Sequence, residues 1–183
     1  MRILPLLALA CSLSAAQPKG LLLGDGKVTE VAGDYILTGG LAAGLDGQIY
    51  FTDVPNDRIL LRLVDGTIGT WLDDSGGANG VRFYGGLLYA CQGTRRQVVS
   101  IGADKAVKTL AFQCAGKRFN APDDLWVDDE GGVYFTDPRG AEPEQVFYIA
   151  AGSGEVRSVA RDFSPPQRHP RDPQRALPLR RRR

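Results

Sequence analysis

One eight-residue string occurs twice in this chain and limits what it can fold into. Asp46–Asp53 reads DGQIYFTD, and Glu130–Asp137 reads EGGVYFTD 84 residues later. A weaker copy, YGGLLYAC, lies between them at Tyr84–Cys91, with Ala-Cys where the others have Thr-Asp. Similarity at a fixed interval indicates a repeat architecture, and half of this interval, about 42 residues, falls within the period of four-stranded propeller blades. The string therefore predicts a β-propeller, whereas a sandwich of short strands would not produce the recurrence.

Alternating apolar residues divide each repeat into four short strands. Asp65-Gly66 lies between two such strands and is a hairpin signal. No long stretch has helical periodicity, so we predict an all-β fold of about three four-stranded blades. The predicted strands are Gly39–Ala43, Gln48–Thr52, Arg58–Val64 and Thr67–Leu72, then Gly80–Phe83, Leu87–Ala90, Gln97–Ile101 and Val107–Phe112, then Leu125–Val127, Val133–Thr136, Val146–Ala150 and Glu155–Ala160.

The first sixteen residues have the pattern of a secretory signal peptide. Arg2 supplies the positive charge, Ile3–Leu13 is apolar, and small residues precede a cleavage site near Ala16. The apolar run is too short to span a bilayer as a helix, and no other stretch is apolar enough to do so. We expect a secreted or periplasmic protein with residues 1–16 removed. The alternatives are a lipid anchor at Cys11 and a structural N-terminal segment.

The remaining reactive side chains exclude several chemistries. His169 is the only histidine and lies in the basic C-terminal tail, so the body cannot build a Ser-His-Asp triad, a Cys-His pair or a histidine-bearing zinc site. The spacing of Cys91 and Cys114 does not match a metal site. Two alternatives stay open for this pair, a disulfide bond between them or two unpaired thiols. Asn, Asp and carbonyl oxygens in the loops that precede the blades remain, and these suit calcium.

The loops before the second and third repeats carry the most specific motifs. They read GGANG at Gly76–Gly80 and GKRFNAPDDL at Gly116–Leu125. With GQIYFTDVPNDRIL and WVDDEGGVYFTDP, these stretches resemble the gluconolactonase/regucalcin family, the senescence-marker-protein type of six-bladed calcium propeller. The resemblance covers about Thr38–Phe163. It implies a six-bladed propeller of which this chain holds the N-terminal half, with residues 17–163 as a partial propeller of about three blades, and it implies a lactonase.

The resemblance also implies a divalent cation, usually calcium, in the central channel, where it would polarise the lactone carbonyl and help to position the attacking water. Carried over by position, the family's first ligand Glu falls on Gly39, and its ligand Asn falls on Asp123, which becomes the predicted metal ligand. Asn79, Arg118 and Asn120 match positions assigned to substrate binding. The later Asp that serves as general base has no counterpart, so the catalytic residue is unknown.

Each of these residues also has a purely structural interpretation. Asn79 before Gly80 is typical of a turn, Asp123 beside Asp124 is typical of a loop cap, and Arg118 is typical of a solvated loop charge. We assign four more residues to structure alone: Asp53 and Asp137 as turn-formers after strands, and Trp71 and Trp126 as core residues.

Residues 164–183 break the strand pattern abruptly. They are rich in Pro and Arg and carry seven arginines and one acid, so they hold a charge of +6 while the rest of the chain sums to −5. We predict a disordered tail. A basic run can bind nucleic acid or an anionic surface, but we expect no nucleic acid. We interpret the tail as translated out of frame. Codons that encode the tail can be chosen so that a shift of the reading frame by one base gives Pro-Asn-Gly-Ile, the element that opens the family's fourth blade.

Three functional hypotheses follow. The first is a secreted, calcium-dependent hydrolase of a small-molecule lactone or related ester, the family role. The second is a non-catalytic propeller that binds a sugar-derived ligand or a partner protein, which the missing Glu at Gly39 favours. The third is an inactive, truncated product. Three blades of six would leave strand edges unpaired and inner faces exposed, which predicts self-association through the open edges.

Overall fold

The computed structural model describes residues 30–138, 140 and 143–161. The chain divides after Asp34, and the described residues before that point hold neither helix nor strand. The predicted signal peptide, Cys11, His169 and the predicted tail lie outside the described residues. Within the described ranges, no helix is long and apolar enough to cross a membrane.

Three four-stranded antiparallel sheets, each in simple chain order, make up the described part of the chain from Tyr35 onward. We call them blades 1, 2 and 3. A short 3₁₀ turn, Val54–Asn56, follows the second strand, and a two-stranded hairpin precedes blade 3. The strands are β1 (Thr38–Ala43), β2 (Ile49–Asp53), β3 (Arg58–Arg62) and β4 (Ile68–Asp73) in blade 1; β5 (Ala78–Tyr84), β6 (Leu87–Gln92), β7 (Gln97–Ile101) and β8 (Val107–Ala111) in blade 2; β9 (Gln113–Cys114) and β10 (Lys117–Arg118) in the hairpin; and β11 (Leu125–Val127), β12 (Val133–Asp137), β13 (Gln145–Ile149) and β14 (Val156–Arg161) in blade 3.

The predicted all-β architecture of three four-stranded blades is confirmed. All twelve predicted strands are present, with ends that differ by at most two residues. The hairpin β9–β10 and the 3₁₀ turn were not predicted. Both are short and have no alternating pattern that would mark them.

The alignment of the middle repeat copy was wrong by one residue. In blade 1, Leu41 pairs with Phe51, and in blade 2 the equivalent pair is Val81 with Ala90. The matching string is therefore Gly85–Gln92 rather than Tyr84–Cys91. The shift arises because blade 2 joins its first two strands by a two-residue Gly85-Gly86 turn with both φ angles positive (56° and 82°), a conformation that glycine adopts without strain.

Successive residues of a strand point to opposite faces of its sheet, so each repeat position has a fixed direction. Tyr50, Tyr89 and Tyr134 occupy the same position in blades 1, 2 and 3, as their pairing with the first strand of each blade shows. Val81 in blade 2 and Leu125 in blade 3 share another repeat position, and their side chains point to the opposite face of the sheet. In blade 2, one face thus looks towards blade 1 and the other towards blade 3.

Two apolar clusters lie between the blades. The cluster between blades 1 and 2 contains an aromatic group in which the Tyr50 ring lies edge-on to Trp71, at 5.0 Å, and stacks on Phe83, at 5.8 Å. The cluster between blades 2 and 3 is built around Phe119, which comes from the loop before β11. Its buried members are Cys91, Val98, Ala111, Phe119, Leu125, Val127, Val133, Phe135, Phe147 and Ile149.

The two tryptophans behave differently. Trp71 is half-buried and packs against the cluster between blades 1 and 2, as predicted. Trp126 is 50% exposed, so its assignment to the core was wrong. It pairs with Tyr134 on the face of blade 3 that points away from blade 2, and its ring lies 6.0 Å from that of Tyr134.

The last residue of the repeated string holds the preceding loop in place. The buried Asp137 carboxylate accepts hydrogen bonds from the backbone amides of Asn120 and Ala121, both at 2.8 Å. In blade 1, the buried Asp53 accepts one from the Ile36 amide at 3.3 Å. The prediction that these acids form turns was therefore wrong in its detail. Their carboxylates point inward and fasten the segment before the first strand of their own blade.

Blade 2 uses a neutral residue for the same purpose. Gln92 occupies the place of Asp53 and Asp137 and is fully buried. Its side-chain amide donates to the carbonyl of Ser75 at 2.7 Å, in the loop before β5, while its oxygen accepts from Gln97 at 2.6 Å. A buried hydrogen-bonded side chain at this repeat position is thus a shared feature of the three blades.

The two acids differ in how their environment shifts the carboxyl pKa. Burial alone would raise the pKa of Asp53, but hydrogen bonds from Asn56, Arg58 and the backbone outweigh it, so the pKa is lowered. Burial raises the pKa of Asp137, and the two backbone amides that bind its carboxylate oppose the rise only in part.

We expect Asp53→Asn and Asp137→Asn to change the pH dependence of stability in opposite directions. The stabilisation by ionised Asp53 is complete above its unfolded pKa of about 3.9 and is lost as the pH falls through the lowered folded pKa. The deficit of Asp53→Asn relative to wild type should therefore shrink in acid. Asp137, whose folded pKa is raised, stabilises most below the unfolded value, and that stabilisation declines as the pH rises through the folded pKa.

Urea unfolding of both variants, from neutral pH to below about pH 4, measures these two slopes. The wild-type protein at each pH is the reference. Parallel curves for the two variants would contradict the opposite pKa shifts.

Candidate functional site

A cleft of about 220 Å³ lies where the first strands of the three blades meet. Blade 1 contributes the start of β1, blade 2 the start of β5, and blade 3 the loop before β11. The lining residues are Gly39, Gly40, Asn79, Gly80, Asp123 and Asp124. The structure thus brings together Gly39, Asn79 and Asp123, three of the positions that the sequence analysis connected with the site.

Hydrogen bonds join the three blades around this cleft. The Asn79 side-chain amide donates to the Asp123 carboxylate, and the backbone amide of Gly80 donates to the Asp123 carbonyl at 2.7 Å. On the other side, the Thr52 hydroxyl donates to the Asn79 carbonyl at 3.0 Å. Asn79 is therefore linked to blades 1 and 3 at once, which goes beyond the role of a simple turn residue.

The two adjacent acids have different functions. Asp124 acts as a cap, because its carboxylate accepts a hydrogen bond at 2.8 Å from the Leu125 amide, the first residue of β11. The backbone amide of Asp123 donates to the Thr136 carbonyl at 3.0 Å, which fixes its main chain while its side chain reaches Asn79. The loop-capping interpretation thus applies to Asp124, which also lines the cleft, whereas the Asp123 carboxylate reaches Asn79.

Two glycines allow the first strands to lie this close. A Cβ added to Gly40 would come within 3.0 Å of backbone atoms of Asn79, Gly80 and Val81. A Cβ on Gly39 would come within 3.0 Å of the Asn79 and Thr52 side-chain oxygens. In the resembling family, the position of Gly39 carries a Glu. Here blades 1 and 2 lie so close together that a side chain at this position would collide with Asn79 and Thr52.

The other two predicted substrate residues lie outside this cleft. The Arg118 guanidinium donates to the Arg95 carbonyl at 3.1 Å and lies over the Phe112 ring at 5.6 Å. It lines a second cleft of about 270 Å³ beside the hairpin β9–β10. The Asn120 side chain donates to the Pro138 carbonyl at 2.9 Å. Arg118 ends β10 and Asn120 lies in the loop that follows it and leads to Asp123, but neither residue lines the cleft.

Both described cysteines are unpaired thiols. Cys91 is fully buried, and burial raises its thiol pKa well above the usual value, with the nearby charges of Asp124, Asp123 and Asp137 adding to the rise. The thiolate is the reactive form of cysteine, so this environment makes Cys91 a packing residue rather than a nucleophile.

The oxygen donors of the cleft suit a hard cation but are few. Asp123 offers a carboxylate and Asn79 an amide oxygen, both of the type that calcium binds. Calcium takes six to eight oxygens, and no group of three acidic, histidine or cysteine side chains able to hold a metal occurs among the described residues. The residues therefore fit a weakly held cation that keeps most of its water.

Similar solved structures include a gluconolactonase from Xanthomonas campestris, which matches 72% of this chain at 24% sequence identity with a TM-score of 0.68. A structural-genomics protein assigned as a gluconolactonase matches 73% at 23% identity and a TM-score of 0.65. A structure of the nidogen/laminin complex matches 68% at 20% identity and a TM-score of 0.58. The chain has the fold of the gluconolactonase propellers.

The likeness is limited in extent. This chain covers 50%, 52% and 48% of the three matched chains, so it spans about half the length of these propellers. At sequence identities below 25%, these matches show a shared fold and nothing more. As far as the fold is concerned, they confirm the resemblance seen in the sequence. No protein-family model matches the chain, and no curated protein matches it.

Proposed function

We propose that this chain is a gluconolactonase-like propeller whose cleft at the first strands binds a small sugar-derived lactone or a related ester. The observation that carries the proposal is the contact between Asn79 and Asp123, which come from two blades and meet beside Gly39 of a third. Side chains that converge from separate elements on one concave site are typical of ligand sites.

The chemistry of the two side chains fits a polyhydroxylated ligand. The Asn79 amide can both donate and accept, and the Asp123 carboxylate accepts only. A sugar lactone presents hydroxyl donors together with ring and carbonyl acceptors, so the pair can orient it. The mutual hydrogen bond keeps both side chains in place before the ligand arrives, which lowers the entropy lost on binding.

A divalent cation, probed as calcium, is part of the proposal, with the Asp123 carboxylate and the Asn79 oxygen as its protein ligands. When bound, it would supply Lewis-acid polarisation of a carbonyl. With so few protein ligands, we expect a dissociation constant of about 10⁻⁴–10⁻³ M, as in extracellular calcium modules. That range suits the export that the N-terminal sequence predicts.

Calcium is expected to raise the melting temperature of the full chain by about 3–6 °C at about ten times its dissociation constant, because a ligand of the native state stabilises that state. Asn79→Ala and Asp123→Ala should remove most of this shift. The measurement is thermal unfolding at rising calcium, with sodium chloride at matched ionic strength.

Asp129→Asn is the matched control, since it also removes one exposed acid but lies outside the cleft. It should keep the full calcium shift. Equal loss in Asp129→Asn and Asp123→Ala would mean that calcium acts through general charge screening, and the proposed cation site would be wrong.

A second candidate, ligand binding without hydrolysis, is favoured by Gly39. A side chain at this position would strike the Asn79 and Thr52 oxygens, so the Glu of the resembling family cannot be accommodated without moving Asn79. Acid release from gluconolactone, followed at constant pH, separates the two candidates. Release above the spontaneous rate that is lost in Asp123→Ala supports a hydrolase, and ligand-induced stabilisation without acid release supports a binding propeller.

A further inference from the structure

The second cleft, beside the hairpin β9–β10, differs in chemistry from the proposed lactone site and shares none of its described lining residues. One wall is the hairpin, and the other is the face of blade 3 that points towards blade 2. Among the described residues, the lining holds three cations, Lys117, Arg118 and Arg161, and one acid, Asp137. The second cleft therefore carries a net positive charge.

Three residues that pair in register form a row across blade 3 in this cleft. Asp137 pairs with Gln145, and Gln145 pairs with Arg161. The Asp137 carboxylate is bound by the backbone amides described above, and the Gln145 side chain donates to the Pro143 carbonyl at 3.5 Å. Their hydrogen bonds thus run to the backbone rather than to each other, and all three side chains of the row line the cleft.

The equivalent row is internally paired in the other two blades. In blade 1 it consists of Asp53, Arg58 and Asp73, and the Arg58 guanidinium forms an ion pair with the buried Asp53 at 2.9 Å. In blade 2, the Gln97 amide donates to Gln92 at 2.6 Å. Blade 3 differs in two ways, because the residue beside its buried acid is neutral and its third residue is a cation where blade 1 has an acid.

The cations of the second cleft can bind an anion between its two walls. The Arg161 Nε donates to the Ser158 hydroxyl at 3.1 Å, and the guanidinium carries further N–H donors on its two terminal nitrogens. Lys117 and Arg118 belong to the hairpin wall. The two backbone amides that bind Asp137 offset its charge in part. A ligand with one negative charge is therefore attracted to this cleft.

The rest of the lining favours an organic anion over an inorganic one. Ala115, Phe119 and Phe147 form an apolar wall beside the cations. A phosphate ion would leave this wall without contacts, and Asp137 would repel its second charge, whereas a ring buries apolar surface there. The volume of about 270 Å³ is below the roughly 300–1,000 Å³ of sites for drug-sized ligands, so a ligand with a single ring fits best.

We propose that the second cleft binds a small aromatic carboxylate. Arg161 and Lys117 bind the carboxylate group from the two walls, and the ring lies against the apolar wall of Ala115, Phe119 and Phe147. A guanidinium binds a carboxylate through two parallel hydrogen bonds, and an ammonium acts as a point charge. The proposal does not depend on the proposed function, because the lactone site is lined by other residues.

Titration calorimetry of the full chain with benzoate, in calcium-free buffer at constant ionic strength, tests the proposal. We expect saturable binding at one site. Arg161→Gln and Lys117→Gln should each lower the affinity about tenfold, the usual effect of losing a hydrogen bond to a charged group. Circular dichroism checks that each variant keeps its strands.

Arg157→Gln is the matched control. Arg157 is also an exposed arginine of β14, but its guanidinium lies over the Tyr148 ring on the face of blade 3 that points away from blade 2. This variant should bind benzoate as the wild type does. An equal loss of affinity in Arg157→Gln and Arg161→Gln would mean that only the overall charge of the protein matters, and the proposed site would be wrong.

Two further ligands test the proposal on the wild-type protein alone. Benzamide has the same ring without the charge, and inorganic phosphate has charge without the ring. Both should bind at least about tenfold more weakly than benzoate, since each lacks one of the two contacts.

Each remaining outcome overturns the proposal. A titration without saturable benzoate binding would mean that the cleft is not a carboxylate site. Phosphate that binds as tightly as benzoate would indicate general anion attraction, and equally tight benzamide would mean that the cations do not contribute. Benzoate binding that both Arg161→Gln and Lys117→Gln retain would place the ligand elsewhere on the protein.

Discussion

Phe119→Ala is expected to lower the free energy of unfolding by about 3–5 kcal/mol, the usual effect of emptying a buried aromatic site. The Phe119 side chain is 1% exposed, and its ring centre lies 4.9 Å from that of Phe135 and 5.2 Å from that of Phe147. Its carbonyl also accepts a hydrogen bond from the Arg96 guanidinium. The neighbouring residues come from two strands of a sheet and cannot collapse into the vacated volume without disturbing the strand pairing.

The matched control is Phe112→Ala. Phe112 lies just before the same hairpin but is 44% exposed, with the Arg118 guanidinium over its ring. Its loss should lower the free energy of unfolding by less than about 1 kcal/mol. Urea unfolding of both variants makes the comparison. Equal effects would show that the loop before blade 3 is not held by Phe119.

Gly40→Ala is the second substitution with a large expected effect. The added Cβ would lie within 3.0 Å of backbone atoms of residues 79–81, so either β1 or β5 must move. Backbone cannot rotate away as a flexible side chain can, and we expect a loss of about 3 kcal/mol or more. Because the cleft lies between these strands, the calcium-dependent rise in melting temperature should also decrease.

Gly69→Ala is the control for this substitution. Gly69 also lies in a strand of blade 1, but no atom lies within 4 Å of the position that its Cβ would occupy. This change should leave the free energy of unfolding within about 0.5 kcal/mol of wild type or raise it slightly. Similar losses in Gly40→Ala and Gly69→Ala would argue against the close approach of β1 and β5.

The strand plan could be predicted because its signals are local. Alternation within a strand and Gly-containing turns between strands depend on residues a few places apart, and the predicted strand ends agree with the structure to within two residues. The register of the middle repeat could not be aligned correctly by letters alone. The two-residue turn at Gly85-Gly86 shortens the hairpin, and only the pairing of Val81 with Ala90 makes the shift visible.

The site was only partly predictable because its contacts are long-range. The convergence of Asn79 and Asp123, 44 residues apart, was expected from the resemblance, but their direct hydrogen bond was not. The direction of Arg118 depends on the hairpin β9–β10, which has no sequence pattern of its own. The role of Asp137 depends on partners 16 and 17 residues earlier in the chain.

The order of strands within each blade has a consequence for how the chain acquires its structure. Every sheet is formed by consecutive strands, so most strand pairings join residues that are close in sequence. A blade can therefore pair its strands as soon as its own segment has left the ribosome. The loop that Asp53, Gln92 or Asp137 anchors precedes the blade in the chain, so it has already been synthesised by then. Assembly can proceed from the N-terminal side, with each new blade docking on the one made before it.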